Sequence, residues 1–169
     1  MRNANQQKSI FVTGAASGIG RETALLFAER GWFVGLFDVN EKELRVVAET
    51  IGESSCRYQA LDVTDPINYE QAIRYFGEYT GRTMDVLFNC AGITSHGPFE
   101  AVALDHLLNI ININANGTII GIHLSMELRR PRSRMAIVAA RYSMLPGQLS
   151  NSPTTAHGAP ASKILRRGG

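Results

Sequence analysis

The sequence predicts an α/β fold with a doubly wound parallel sheet, and three observations predict it. Apolar runs of four to six residues alternate with segments of helical length from residue 8 to about residue 128. The runs are nearly continuous in apolar character, as strands covered on both faces of a parallel sheet are. The first run enters a glycine-rich loop that opens straight into a helix, a geometry that holds a pyrophosphate on backbone N–H groups. Right-handed crossovers then build a doubly wound sheet.

The elements follow in order. Residues 8–13 read as a buried strand and 18–30 as a helix with Ala24, Leu25, Phe27 and Ala28 inward, closed by Gly31. Residues 33–38 form a second strand. Asn40 caps the next helix, with Glu43 placed for a capping box, and that helix runs to about Ile51. Residues 57–61 are a weaker third strand. Asp65 followed by Pro66 starts a helix that reaches about Tyr79. Residues 84–89 are the fourth strand, followed by a Gly-, Ser- and Pro-rich loop over 90–98. One long apolar helix is expected over about 102–128, with Leu104, Leu107, Leu108, Ile111, Ala115, Ile119 and Ile122 at helical spacing. Residues 135–138 are a fifth strand. Beyond about residue 141, Leu145-Pro146-Gly147, Ser152-Pro153 and Gly158-Ala159-Pro160 break any regular element.

The 169 residues suit one domain, and 44% apolar with 19% charged content suits a soluble globular protein. The division expected is a dinucleotide-binding domain over 1–140 and an irregular basic tail over 141–169. No apolar run is long enough for a transmembrane helix, and the polar N-terminus lacks the apolar core of a signal peptide. Cys56 and Cys90, each in an apolar stretch, fit buried thiols of a reducing compartment, so a cytoplasmic protein is expected. No metal site is expected. Charge is uneven: residues 1–127 carry nine basic and fifteen acidic residues (net −6), and 128–169 carry eight basic residues and no acid (net +8). With no aromatics interleaved beyond Tyr142, that basic tail makes nucleic acid a weak candidate partner.

In the glycine loop, Gly14 suits a tight turn, Gly18 a close approach of backbone to phosphate, and Gly20 close helix packing. A phosphate-binding loop of the Gly-Lys-Ser/Thr kind is excluded because no such triplet follows. Asp38 ends the second strand 24 residues after Gly14, where a carboxylate accepts hydrogen bonds from both hydroxyls of an adenosine ribose. It would repel a 2′-phosphate, and neither Ser17 nor Val39 supplies a countering cation, so NAD is favoured over NADP. Three asparagines, Asn112, Asn114 and Asn116, inside an apolar helix are poor helix formers that call for partners or solvent. Asn112 and Asn116 are read as facing solvent.

These motifs together resemble the short-chain dehydrogenase/reductase family, over roughly residues 8–140. The resemblance rests on the segment from Thr13 to Gly20, on Asp38, on Leu61-Asp62-Val63, on Asn89-Cys90-Ala91-Gly92 and on the segment from Asn112 to Gly117. It implies a Rossmann-like fold and hydride transfer between NAD(H) and an alcohol or carbonyl substrate. It implies that Thr13, Gly14, Ser17, Gly18, Ile19 and Gly20 form the phosphate loop, and that Asp62 and Val63 contact the adenine. Asn89, Ala91 and Gly92 would stabilise the sheet's carboxyl end and line the cofactor; Cys90 departs from the family's usual Asn. Asn114 resembles the family's catalytic Asn, which locally opens its helix and holds a water. The family pairs through the long helix, here 102–128, which allows a homo-oligomer. The loop Ile93–Phe99 should border the substrate cleft, and His96 within it is read as a polar loop residue.

The family's proton-transferring Tyr, four residues before a Lys, is not matched. Ala161-Ser162-Lys163 resembles the ending of that motif, so Lys163 is a candidate for cofactor binding and catalysis, but Ala159 stands at the Tyr position. No tyrosine follows Tyr142, and His157 is a poor substitute. Ser143 is the candidate for the substrate-orienting serine, one place late. Loss of general acid–base help of this kind typically costs about 10²–10⁴-fold in rate. Two readings therefore stand: an NAD-dependent oxidoreductase, or an NAD-binding pseudoenzyme or inactive fragment. A sequence that is out of frame or otherwise aberrant from about residue 128 or 130 onward would account together for the charge break, the composition shift and the missing Tyr.

Overall fold

A computed structural model describes residues 7–95, 97–128 and 135–139. Five strands form one sheet: β1 (Ser9–Thr13), β2 (Phe33–Asp38), β3 (Cys56–Ala60), β4 (Val86–Asn89) and β5 (Ala136–Ala139). All neighbours are parallel, in the order β3-β2-β1-β4-β5. The helices between them are α1 (Gly18–Glu29), α2 (Glu41–Ile51), α3 (Pro66–Thr80), α4 (Leu104–Ile111) and α5 (Gly117–Ser125). The fold is the expected doubly wound α/β sheet, with strand boundaries within two residues of those the apolar runs predict.

The runs are continuous because both faces of the sheet are covered. On one face Ile10, Val12, Val34, Leu36 and Phe88 pack with Ala24 of α1 and Leu44 and Val47 of α2. On the other, Phe11, Phe33, Phe37 and Leu87 pack with Tyr69, Ile73 and Phe76 of α3. There the rings of Phe11 and Phe37 stack at 3.9 Å, and Phe76 meets Phe11 edge-on at 5.5 Å, an arrangement aromatic pairs prefer.

Side-chain caps hold at the starts of α2 and α3, but the reciprocal half of the capping box does not form, because the Asn40 N–H donates to Asp38 Oδ1 rather than to Glu43. The Asn40 side chain accepts from the Glu43 N–H at 3.2 Å. Asp65 accepts from the N–H groups of Ile67 and Asn68, with Pro66 at the first helical position. Arg45–Glu49 is an ordinary surface ion pair at 3.7 Å. No helix among the described residues is long and apolar enough to cross a membrane.

The expected helix over 102–128 is not continuous. A short 3₁₀ turn (Phe99–Ala101) precedes α4, a π turn (Asn112–Asn116) separates α4 from α5, and a 3₁₀ turn (Met126–Leu128) follows. The physical reason lies in the asparagines, described below. The residues at apolar spacing divide between core and surface, Ile122 packing against the core. Leu104, Leu108, Ile111 and Ile119 are 58–67% exposed, whereas α5 meets the protein through Gly117, Gly121 and Ser125. A Cβ on Gly121 would collide with the Tyr69 hydroxyl and the Asn89 carboxamide, so a small-residue seam is the inner face. All four residues of β5 are exposed.

Candidate dinucleotide site

The sheet reverses its winding between β1 and β4, and their carboxyl ends open a crevice at that switch point. A cleft of ≈ 220 Å³ lies there, lined among others by Gly14, Ser17, Asp38, Asp62, Ala91 and Gly92. A groove of ≈ 500 Å³ lies elsewhere, beside β3, among Glu41, Arg45, Glu53, Arg57 and Tyr75. It is the larger of the two, but its arginines are engaged locally, Arg45 with Glu49 and Arg57 over the Tyr79 ring. The smaller cleft is where the strand ends and the helix N-terminus converge.

The glycine loop is built for close approach. Gly14 has φ +69°, and a Cβ there would stand 2.8 Å from the Ala91 nitrogen. A Cβ on Gly20 would run into the Gly14 carbonyl oxygen. Gly18, at φ +50°, faces open space. The amides of Gly18 and Ile19 open the first turn of α1, where no preceding carbonyl of the helix accepts them. Together with the helix dipole they form a cradle for an anionic group.

Thr13 has a supporting place. It is buried, and its hydroxyl oxygen accepts from the Cys90 and Ala91 N–H groups at 3.0 and 3.1 Å. It thereby ties the end of β1 to the end of β4, beneath the cleft. Asp38 is fixed from both sides: Oδ2 accepts from the Ala16 N–H at 3.3 Å and Oδ1 from the Asn40 N–H at 3.0 Å. The carboxylate is thus held at the carboxyl end of β2, facing the cleft. Asp62 is exposed, and its Oδ1 accepts from the Thr64 N–H and hydroxyl at 2.9 and 2.7 Å. Val63 lines the cleft and packs against Gly117, where a Cβ would stand 2.7 Å from Val63 Cγ2.

Asn114 sits in the π turn with both side-chain polar atoms engaged: Oδ1 accepts from the Ile93 N–H and Nδ2 donates to the Ile93 oxygen, each at 2.9 Å. Its own carbonyl accepts from the Thr118 hydroxyl at 2.8 Å. The wide turn is what lets a helix residue reach a neighbouring loop peptide; π turns of this kind are common at functional sites. Asn112 and Asn116 are exposed, as expected, and bond to each other at 3.0 Å.

Burial pushes the Cys90 thiol up; the Gly20 N–H lowers it and the Asp38 carboxylate raises it further. Cys90 is half-buried in the cleft wall, while Cys56 is fully buried. Asn89 lies beneath the site, its Oδ1 accepting from the Tyr69 hydroxyl at 3.2 Å. Among the described residues no group of three or more His, Cys, Asp or Glu could hold a metal.

Of the residues expected from sequence, Gly14, Ser17, Asp38, Asp62, Val63, Ala91 and Gly92 line one cleft, with Gly18, Ile19 and Gly20 in the adjoining helix start. Thr13 and Asn89 support it from below. Ser143 and Lys163, with His96, Ala159 and His157, lie outside the described residues. Ile93 was expected only as part of a loop bordering the substrate cleft, not as the peptide that Asn114 clasps, and the Gly117–Gly121–Ser125 seam was missed. The four-residue spacing of small residues was the signal for the latter.

A family model described as short chain dehydrogenase matches residues 8–148. Short-chain dehydrogenase reductase 3b of Arabidopsis thaliana is 39% identical over 114 residues, 66% of this chain and 43% of that protein. (-)-Isopiperitenol/(-)-carveol dehydrogenase, mitochondrial, of Mentha piperita is 39% identical over 117 residues, again 66% and 43%. A crystal structure of a short-chain dehydrogenase/reductase, glucose/ribitol dehydrogenase, from Brucella melitensis superposes with a TM-score of 0.72 at 26% identity, covering 78% of this chain and 55% of that one. The matched region spans less than half the length of these two plant relatives.

Proposed function

This chain belongs to the short-chain dehydrogenase/reductase family, and on that premise we propose that it binds NAD in the switch-point cleft and serves hydride transfer between NAD(H) and a small alcohol or carbonyl substrate. The observation that carries the choice of cofactor is the Asp38 carboxylate, pinned by the N–H groups of Ala16 and Asn40 at the end of β2. Held there, it accepts hydrogen bonds from a ribose diol and opposes a 2′-phosphate. The residues fit the group. The crowded turn at Gly14 and the first amides of α1 receive the pyrophosphate, Asp62 and Val63 flank the adenine, and Ala91 and Gly92 run beside the nicotinamide half.

When bound, NAD supplies the hydride acceptor. Asn114 orders the loop carrying Ile93 through its two bonds to that peptide, and its carbonyl, which already accepts from Thr118, is the atom that would hold a water. Ser143 and Lys163 keep the orienting and cofactor-holding roles that the resemblance implies. The exposed stripe of Leu104, Leu108, Ile111 and Ile119 supports pairing of two copies through α4 and α5.

One observation favours a second reading, that the chain binds the dinucleotide without turning it over: no tyrosine follows Tyr142, and Ala159 stands four residues before Lys163. Calorimetry with NAD and NADP tests the cofactor, and absorbance of NADH over a panel of secondary alcohols separates the two readings. Binding without NADH formation selects the second; no binding of either nucleotide removes both.

A further inference from the structure

Asn89 ends β4 with a carboxamide that is 5% exposed and has one hydrogen bond among the described residues, from the Tyr69 hydroxyl to Oδ1 at 3.2 Å. Among the described residues its Nδ2 has no partner. We propose that Tyr69, on α3 and fully buried, is a positioning residue for the nicotinamide half of the cleft, acting through Asn89 on the end of β4. This rests on the NAD reading above.

A buried amide with one partner is oriented by that partner, since an unpaired buried acceptor is costly and its two ends are nearly isosteric. Removing the phenol oxygen leaves both ends of the Asn89 carboxamide without partners among the described residues. The residue next along is Cys90, and the N–H groups of Cys90 and Ala91 converge on Thr13 Oγ1 at 3.0 and 3.1 Å. One step further the Ala91 backbone is packed against Gly14 so closely that no Cβ fits between them. Tight packing passes a small displacement on instead of absorbing it. A continuous contact path therefore runs from α3 through Asn89 to the glycine loop.

Two features tune this contact. Gly121 of α5 leaves room for the Tyr69 hydroxyl and Asn89 Oδ1, both of which a Cβ would strike. Burial pushes the Tyr69 phenol up, so it remains a neutral donor at physiological pH. The adenosine end of the cleft, at Asp38 and Asp62, hangs on β2 and the loop after β3. It shares no hydrogen bond with the Tyr69–Asn89 pair.

The test compares NAD with AMP by calorimetry on the full chain, because AMP contacts only the adenosine half. Tyr69→Phe is expected to weaken NAD about tenfold and leave AMP within about twofold. Gly121→Ala keeps both side chains but crowds their contact, and is expected to show the same selectivity; far-UV circular dichroism checks both variants. In an Asn89→Ala background, Tyr69→Phe should cost no further NAD affinity. Unchanged NAD affinity in Tyr69→Phe, equal losses for NAD and AMP, or additive losses in the double variant would overturn the proposal. Failure of the NAD reading itself shows differently, as absence of NAD binding in the wild type, and this inference falls with it.

Discussion

Asn114 clasps the peptide of Ile93 with both ends of its carboxamide, accepting from the nitrogen and donating to the oxygen at 2.9 Å each. A helix residue thereby substitutes for the strand neighbour that the chain after β4 lacks at this point. The same side chain cannot also face a substrate, so its contribution to the site is the order it gives the loop and the carbonyl it leaves at the π turn. Asn114→Ala removes both bonds and strands a part-buried N–H and C=O. Urea unfolding should show a loss of about 1–3 kcal/mol. A loss below that range would mean that water replaces the amide freely.

Asp38→Ala should abolish the preference for NAD. Two hydrogen bonds from a ribose to a charged acceptor are worth about 1.5–3 kcal/mol each, so NAD affinity should fall at least about a hundredfold. NADP, relieved of repulsion, should lose less or gain. Tighter binding of NADP than NAD by the wild type, measured by calorimetry, would refute the assignment of the cofactor.

At Gly14, Ala must adopt φ +69° and place a Cβ 2.8–2.9 Å from the Ala91 backbone. Both strain and displacement act on the phosphate loop. Gly14→Ala should lower stability by about 1–3 kcal/mol and remove detectable NAD binding, as read by thermal unfolding with and without the nucleotide. The same substitution at Gly18 meets no neighbouring atom, so only its φ of +50° resists, and the smaller effect is the internal control.

Stability should decline in alkaline solution. Burial raises the thiols of Cys56 and Cys90 above their ordinary 9.0 and the phenols of Tyr69 and Tyr75 above their ordinary 10.0. Each group holds its proton more tightly folded than unfolded. Its contribution is therefore complete below the unfolded value and is lost as pH climbs from there toward the folded value. Denaturant midpoints should be flat with respect to these groups at pH 7–8 and fall above about pH 9. Tyr69→Phe should lessen the fall above about pH 10. A midpoint that rises in this range would contradict the burial of these groups.

The apolar stripe on α4 and α5 gives a prediction about assembly. Leu108 is 58% and Ile119 63% exposed. If two copies pair there, Leu108→Arg with Ile119→Arg should halve the mass measured by light scattering without changing the helical circular dichroism. A monomeric wild type would remove the pairing reading.

Much of the fold was legible because its signals are local. Continuous apolar runs marked β1, β2 and β4, and Asn40 and Asp65 with Pro66 marked helix starts that the structure places within a residue. The glycine loop was legible because a tight turn needs glycine at fixed places, and Asp38 because it closes a strand at a set distance from that loop. The break in the 102–128 helix was not legible from periodicity. It depends on a bond between Asn114 and a peptide 21 residues away, and apolar spacing carries no trace of such a partner. The closest face of α5 is not marked by large apolar spacing either. Close approach to Tyr69 and Asn89 selects glycine at Gly121, while Leu104, Leu108, Ile111 and Ile119 lie exposed and Ile120, Ile122 and Leu124 pack at the flanks. Asn89 was legible as a support of the sheet's carboxyl end, whereas Thr13 was legible only as part of the phosphate loop, because a hydroxyl reads the same whether it meets a ligand or the next strand.

The strand at the centre of the described sheet precedes its four companions in the chain. Ile10 of β1 is flanked by Val34 of β2 and by Val86 of β4. The first of these partners follows within a short stretch of synthesis, but the second leaves the ribosome roughly 4–15 s after Ile10, at ordinary elongation rates. During that interval one edge of a strand whose five residues are all buried in the folded sheet has nothing to pair with. The nascent chain therefore carries a sticky, half-finished sheet for many seconds. Its yield in a cell should depend more on elongation speed across residues 14–89, and on chaperones that shield that edge, than on the final stability of the folded domain.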